Sequence, residues 1–242
     1  MSSTYDPYDV TPVVQAEESA RVTFMRQVGI YTFGSLVITA IAAVAMMGAI
    51  YQFEFLREQW VSLIIMLGGI YGAQFVGNSM TLSDNASTRM TGYVVAPILS
   101  GVALAYLLSV AVVVGMQTSG DPFAIIGQAG ALTGLTVVGM VAYLMTGPRQ
   151  LNFIGAGLSM LFLPMLGLMA ITWAFPVGGT FGIIISLVFV GVSAAGLLYS
   201  LNQVLHEYNT SMVLAGATRT SLGIVILFWN ILSLLLRLTS RD

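Results

Sequence analysis

Long apolar runs alternate with short polar breaks along this chain. A helix that crosses a bilayer needs about 20 apolar residues, and seven runs approach or exceed that length. They are Val28–Tyr51, Trp60–Val76, Met90–Met116, Phe123–Thr146, Phe153–Phe175, Phe181–Leu205 and Ala215–Leu236. Because the runs are continuously apolar and do not alternate, they indicate helices and not the strands of a barrel. The pattern predicts an all-α, polytopic membrane protein with seven transmembrane helices.

Composition supports the membrane class. Hydrophobic residues make up 57% of the chain and charged residues 7%, and the mean hydropathy is +0.91. A soluble domain carries about 25% charged residues. A globular core cannot hide so much apolar surface, whereas lipid can cover it. The net charge of −2 provides no basic face for nucleic acid, so nucleic acid is not an expected partner.

The chain lacks the residues that several kinds of chemistry require. The chain has no Cys and no Lys, and His206 is its one histidine. These counts leave no thiolate metal site, no Schiff-base lysine and no pair of histidines for haem or zinc. A Gly-x-Ser-x-Gly nucleophile motif is also missing from the sequence. We therefore expect a non-enzymatic protein without a cofactor or a bound metal.

The N-terminal segment differs in composition from the rest of the chain. We predict a polar tail over residues 1–21 and a seven-helix transmembrane domain over residues 22–242. The tail fits a solvated segment, and it also fits a handle for a partner protein. A short amphipathic piece, Val13–Met25, has the pattern of a segment that lies along the membrane interface.

Arginine positions predict the orientation in the membrane, because positive residues concentrate on the cytoplasmic side. The predicted spans divide the arginines between the two sides unequally. Arg21, Arg26, Arg89, Arg149 and Arg219 fall on the side of the N-terminus, and Arg57, Arg237 and Arg241 fall on the other. The expected location is a bacterial inner membrane with a cytoplasmic N-terminus and an exported C-terminus.

The last two runs contain the polar side chains that we expect at depth in the second half of the chain. These are Ser200, Asn202, Gln203 and Asn230. Two interpretations remain open: hydrogen bonds between helices, or a narrow polar path with Ser200 at its waist. His206 and Glu207 follow at the polar break between the runs. All ten acids fall in tails, loops or span ends, which argues against an ion path through the membrane.

Short motifs in a fixed order resemble the Bax inhibitor-1 family. They are Phe24–Val28, Leu67–Gly72, Thr146–Gly155, Ala195–Tyr199, Asn202–His206 and Phe228–Arg237. The likeness covers almost all of the chain after Val22. The ending Thr239-Ser-Arg-Asp242 is similar to the bacterial branch that modulates the FtsH membrane protease.

The resemblance implies a seven-helix bundle with the last helix at its centre. In the calcium-leak members of the family, two acids on the sixth and seventh helices form a pH-dependent lock. The corresponding positions here are Ser200 and Leu227, which carry no carboxylate. The candidate central positions of this chain are therefore Ser200, Asn202, Gln203, His206, Leu227 and Asn230.

These observations predict an interaction role within the lipid bilayer. The expected function is to modulate or accompany a larger membrane assembly, such as an FtsH-type protease. A pH-sensitive calcium or cation leak channel is one alternative. An accessory subunit of an energy-transducing membrane complex is another.

Overall fold

The computed structural model describes residues 12–145, 151, 154–155, 157–158 and 179–239. Six long helices lie within this part of the chain, and each is apolar enough to cross a membrane. They are α1 (Glu18–Gln52), α2 (Gln59–Met80), α3 (Ala86–Thr118), α4 (Ala124–Met145), α5 (Gly179–His206) and α6 (Val213–Thr239). The predicted fifth span, Phe153–Phe175, lies almost entirely outside the described residues.

The prediction of a helical, multi-pass membrane protein is confirmed for the described chain. The other six predicted spans each coincide with one of the six helices. Large apolar side chains such as Phe33, Phe75 and Leu135 are exposed on them, as expected for helices that face lipid. The count of seven helices and the central position of the last one stay predictions.

Helix α1 is longer than its predicted span. It begins at Glu18, inside the predicted tail, and its 35 residues extend about 52 Å at 1.5 Å per residue. The hydrocarbon core of a bilayer is about 30 Å thick. The start of α1 carries Glu18, Arg21 and Arg26, so this is the end that extends beyond the hydrocarbon. The proposed interfacial piece Val13–Met25 is not one element, because a short 3-10 helix, Val13–Gln15, precedes α1.

Side chains in the connections satisfy backbone groups at the helix ends. Arg57 donates from Nε to the carbonyl of Ile50 (3.0 Å) and from Nη2 to that of Tyr51 (2.7 Å), so it caps the end of α1. Asn85 Oδ1 accepts the N–H of Ser87 at 2.9 Å, which is the N-cap bond of α3. These polar residues end the apolar runs where the chain leaves the membrane.

The described chain forms two compact units. The first comprises the described residues of Met1–Val110 and Gln203–Val225. In it, helix α2 buries only a ridge of small residues, Gly69, Ala73 and Gly77. A Cβ atom on Gly69 would lie 2.7 Å from the carbonyl oxygen of Leu99 in α3. Such a ridge lets two helix backbones approach closely, which is how helices associate in lipid.

Within this unit, α1 and α3 run parallel. Tyr93 Oη donates to the carbonyl of Tyr31 at 2.9 Å, and two turns further along, Thr39 Oγ1 lies 3.4 Å from Ser100 Oγ. Contacts therefore advance in the same direction on both helices. The parallel arrangement fits the first and third crossings of one bundle.

Helix α6 also runs parallel to α1 in the first unit. A Cβ atom on Gly216 would lie 3.4 Å from Val28 Cγ2, and Ser35 Oγ donates to Ser221 Oγ at 2.8 Å. Residue numbers again increase together along the two helices. When two transmembrane helices are parallel, the chain crosses the membrane an even number of times between the start of one and the start of the other.

The second unit comprises the described residues of Ala111–Asn202 and Ile226–Asp242. Helix α4 buries one face through Ile125, Ala129 and Thr133, which are spaced by four residues. Gly155 approaches the ring of Tyr199 in α5 so closely that a Cβ atom there would lie 2.5 Å from the ring.

Candidate functional site

A charged network connects the end of α5 to α6. Arg219 Nη2 donates to Gln203 Oε1, and Gln203 Nε2 donates to both carboxylate oxygens of Glu207 at 3.0 Å. The neutral amide thus lies between a cation and an anion. We call these three residues the Arg219 network. Only the bond from Arg219 to Gln203 crosses between the helices, because Gln203 and Glu207 both lie at the end of α5. A hydrogen bond to a charged group contributes about 1.5–3 kcal/mol.

The Arg219 network lies near one end of the membrane-spanning helices. Arg219 follows Val213, the first residue of α6, by six positions or about 9 Å. Its side chain is partly buried, and its Nε has no hydrogen-bond partner within the described chain. The short distance to the helix end explains how a cation is tolerated here, since charges near helix ends reach the interface.

Buried hydroxyl groups line the contact of α1 with α3 and α6. Ser35 is bonded to Ser221 at 2.8 Å, Thr39 lies 3.4 Å from Ser100, and Thr32 Oγ1 donates to the carbonyl of Ala217 at 3.4 Å. We call Thr32, Ser35, Thr39, Ser100 and Ser221 the hydroxyl column. All five are buried. Thr39, Ser100 and Ser221 also donate to carbonyls of their own helices. The column therefore combines bonds within helices with polar contacts between them.

Two further hydroxyl groups on α6 are buried without a partner in the described structure. Thr218 and Thr220 are 1% and 6% exposed, and neither Oγ1 makes a hydrogen bond. An unsatisfied buried hydroxyl costs about 1–3 kcal/mol. The sequence analysis singled out Ser200, Asn202, Gln203 and Asn230 as polar residues at depth, and it did not include Thr218 and Thr220. The start of α6 therefore buries more polar groups than we predicted.

Residues 12–16, here named the strap, close the same end of the first unit. Val13 is 0% exposed, and its N–H donates to the carbonyl of Tyr208 at 2.9 Å. Tyr208 and Asn209 are buried as well, although they belong to the polar connection between α5 and α6. The end of the predicted tail is therefore not a solvated segment, because it packs against the last hairpin.

One backbone hydrogen bond, from Val13 to Tyr208, ties the strap to the connection between α5 and α6. The bonds from Gln15 to Pro12 and from Ala16 to Val13 lie within the strap and fix its own conformation.

The predicted central positions differ in burial. Leu227 is 0% and Asn202 2% exposed, whereas Ser200, Gln203, His206 and Asn230 are partly buried. Asn230 Nδ2 donates to the carbonyl of Ile226, within its own helix, at 2.9 Å. Gln203 is joined to Arg219, which was not among the predicted positions. Their roles in function stay predictions.

The acids of the described chain lie outside the helix interiors. Each occupies a connection, a helix boundary or the first residue of a helix: Glu17, Glu18, Glu54, Glu58, Asp84, Asp121 and Glu207. Arg219, by contrast, lies within α6, six positions after its first residue, and its Nη2 donates to the neutral amide of Gln203. An amide binds by hydrogen bonding and does not titrate near neutral pH.

Comparison with known proteins gives the family. The family model described as "Inhibitor of apoptosis-promoting Bax1" matches residues 21–241, nearly the whole chain. The chain belongs to the Bax inhibitor-1 family. No curated protein and no solved structure matches it significantly. Within this Bax inhibitor-1 bundle, the positions that the resemblance assigns to an acid pair carry a partly buried Ser200 and a fully buried Leu227.

Some contacts of this Bax inhibitor-1 protein gave only weak signals in the sequence. The run Ala217-Thr-Arg-Thr-Ser221 is polar at the start of an apolar span, and Thr32, Ser35 and Thr39 recur at helical spacing. Both patterns could have indicated a buried polar contact. Nothing local marks Val13 as buried, because its partner Tyr208 lies in a distant connection.

Proposed function

We propose that this chain is a non-enzymatic Bax inhibitor-1 protein that modulates or accompanies a larger assembly in a bacterial inner membrane, an FtsH-type protease being the candidate. The position of the acids carries the proposal. Because they lie at helix ends and in connections, the described helices offer hydroxyl and amide groups at depth and no carboxylate to bind or release an ion.

The packing of the first unit supports a docking role. Hydroxyl groups from α1, α3 and α6 are used for contacts between the helices, as in Ser35 with Ser221. Such bonds hold helices together in lipid. The Arg219 network lies at one end of this unit and can present a polar surface to a partner outside the hydrocarbon.

The strap also supports the proposed topology. Val13 precedes α1 and Tyr208 follows α5, and their hydrogen bond requires both to lie on one side of the membrane. The five described helices between them, α1 to α5, would by themselves place the two residues on opposite sides. The seven-span count predicted from the sequence meets this condition, and it also makes α1 and α6 parallel. A cytoplasmic N-terminus then places the Arg219 network at the cytoplasmic end.

Binding to the protease is tested by cross-linking in intact membranes. The tagged chain is expressed in a bacterium, cross-linked before solubilisation, purified, and probed for the FtsH-type protease. A tagged polytopic protein of another family at the same expression level is the control. We expect recovery of the protease with the chain and not with the control. Recovery of the chain as a clean monomer would contradict the proposal.

Modulation is tested with purified components. The FtsH-type protease is reconstituted into liposomes with a membrane substrate, with and without the chain. We expect the rate of substrate degradation to change at least twofold when the chain is present. An unchanged rate at a molar excess of the chain would argue against modulation.

A cation leak is the second candidate, and the unpartnered hydroxyls of Thr218 and Thr220 favour it. Unsatisfied hydroxyl oxygens are ligands that a cation or water can use in a narrow path. Calcium flux into liposomes that contain the chain, measured at acidic and neutral pH, separates the two functions. A pH-dependent flux that is absent from empty liposomes would establish the leak.

A further inference from the structure

The connection between α1 and α2 lies directly on the ends of the two helices. It comprises residues 53–58, most of them in a short 3-10 helix. Leu56 is buried in one cluster with Ile50 of α1 and Tyr106 of α3. Arg57 caps the last turn of α1 through two backbone carbonyls. The connection is therefore fixed at the depth of the helix ends and does not project away from them.

Four exposed aromatic side chains lie in and beside this connection. They are Tyr51, Phe53, Phe55 and Trp60, here named the aromatic collar, and each is more than half exposed. The ring centroids of Phe53 and Phe55 lie 6.2 Å apart. Trp and Tyr concentrate at the membrane interface, because each ring joins an apolar body to a polar group. Exposed Phe is typical of the apolar side of segments that lie in this layer.

The lengths of the helices place the collar at the edge of the hydrocarbon. Helix α2 has 22 residues and extends about 33 Å, close to the hydrocarbon thickness of about 30 Å. Each end of α2 therefore lies near one edge, and Trp60 is its second residue. On α1, about 20 residues counted back from Tyr51 span the same thickness and reach Tyr31. All charged residues of α1 precede this point.

The collar continues the surface of the helices that faces lipid. Val44 on α1 and Ile64 on α2 are both about two-thirds exposed, and both helices are apolar enough to cross a membrane. Tyr51 follows Val44 by seven positions, and Trp60 precedes Ile64 by four. Each of these collar residues therefore lies on the same helix face as a lipid-facing side chain. The lipid-facing surface thus runs into the collar without a break.

We propose that the aromatic collar is a lipid anchor, which holds the connection between α1 and α2 in the headgroup layer and does not leave it in water. Its partner is phospholipid, and its rings lie where acyl chains meet headgroups. The anchor sets the depth of the first unit. The deepest point of α1 is Ile41, midway between Tyr31 and Tyr51, and not the middle of the helix at Ser35. This assignment does not depend on the proposed function.

Spin labelling measures the depth of single positions, because the chain has no native cysteine. Phe55→Cys reports on the collar, Ile41→Cys on the hydrocarbon and Val22→Cys on water, and all three replace side chains that are at least 60% exposed. Val22 lies about 13 Å beyond Tyr31 along α1. The full chain is placed in liposomes of phosphatidylethanolamine and phosphatidylglycerol. The measured quantity is the ratio of the label's collision rates with oxygen, which concentrates in lipid, and with a water-soluble nickel chelate on both sides.

We expect the ratio for Phe55→Cys to be at least threefold above that for Val22→Cys and at least threefold below that for Ile41→Cys. A ratio within threefold of the Val22→Cys value would show that the collar faces water and is open to a protein partner. A ratio within threefold of the Ile41→Cys value would show that the connection lies in the hydrocarbon. Either result overturns the proposal.

A scan along α1 tests the depth that the collar sets. Five single-cysteine variants replace exposed side chains: Ile30→Cys, Phe33→Cys, Val37→Cys, Ile41→Cys and Val44→Cys. Each labelled variant is first compared with the wild type by its Tm in detergent, so that only folded proteins enter the scan. We expect the oxygen-to-nickel ratio to be highest at Ile41→Cys. A maximum at any of the other positions would overturn the assigned depth.

Discussion

Gly101 is a residue whose missing side chain determines how close two helices come. A Cβ atom there would overlap the carbonyl oxygen of Thr39 and lie 2.9 Å from Ala42 Cβ. A backbone oxygen cannot move aside as the end of a flexible side chain can. The close contact of α1 with α3, and with it the distance of Thr39 from Ser100, depends on this glycine.

Gly101→Ala should therefore destabilise the protein. Forcing a methyl group into this contact costs about 1–3 kcal/mol. Gly48→Ala in α1 is the matched control, because a Cβ atom on Gly48 meets nothing within 4 Å. Thermal unfolding in detergent should show a lower Tm for the first variant and an unchanged or higher Tm for the second. Equal Tm values would mean that α1 and α3 are further apart than described.

Gln203 joins two charges that would otherwise lose a partner. Gln203→Leu removes the acceptor of Arg219 and the donor to Glu207, and the loss should be about 1.5–3 kcal/mol. Gln128→Leu is the control, since Gln128 is an exposed amide on α4. Chemical unfolding in mixed micelles measures the free energy of unfolding of both variants. Similar stability of the two variants would contradict a structural role for the network.

Between elements, the contact of α1 with α6 is polar, and its strength can be measured. The Ser35–Ser221 hydrogen bond of 2.8 Å predicts a coupling energy of about 0.6 kcal/mol, the average for polar contacts between membrane helices. A double-mutant cycle with Ser35→Ala and Ser221→Ala gives this quantity. A cycle that pairs Thr23→Val with Ser221→Ala should give zero, because Thr23 is exposed and bonds to its own helix. Equal coupling energies in the two cycles would contradict a direct contact between Ser35 and Ser221.

At the level of the whole molecule, the parallel course of α1 and α6 makes a prediction about topology. Seven crossings place residues 54 and 119 on one side of the membrane and residues 84 and 207 on the other. Glu54→Cys, Ser119→Cys, Asp84→Cys and Glu207→Cys introduce single thiols at exposed positions. An impermeant maleimide should label the first pair from outside the cell and the second pair only in inverted vesicles. Labelling of Glu207→Cys and Asp84→Cys from opposite sides of the membrane would rule out seven spans.

Much of the fold was predictable because hydropathy acts locally. A run such as Met90–Met116 must be covered by lipid or protein wherever it lies, and α3 occupies Ala86–Thr118. The helix ends were harder to predict, because α1 begins at Glu18 among polar residues that still favour a helix. The candidate site was predicted only in part: Gln203 was singled out, and its partner Arg219 was counted only for orientation.

The amino-acid sequence by itself determined the membrane class, the six helices seen in the described chain and membership of the Bax inhibitor-1 family. These follow from side-chain hydropathy and order along the chain, which need no knowledge of contacts. Only the tertiary structure decided that Val13 is buried on Tyr208, that Ser35 meets Ser221 across 186 positions, and that α1 lies parallel to α6. Such pairings depend on which helix faces meet when the bundle closes, and the local pattern of apolar residues leaves that choice open.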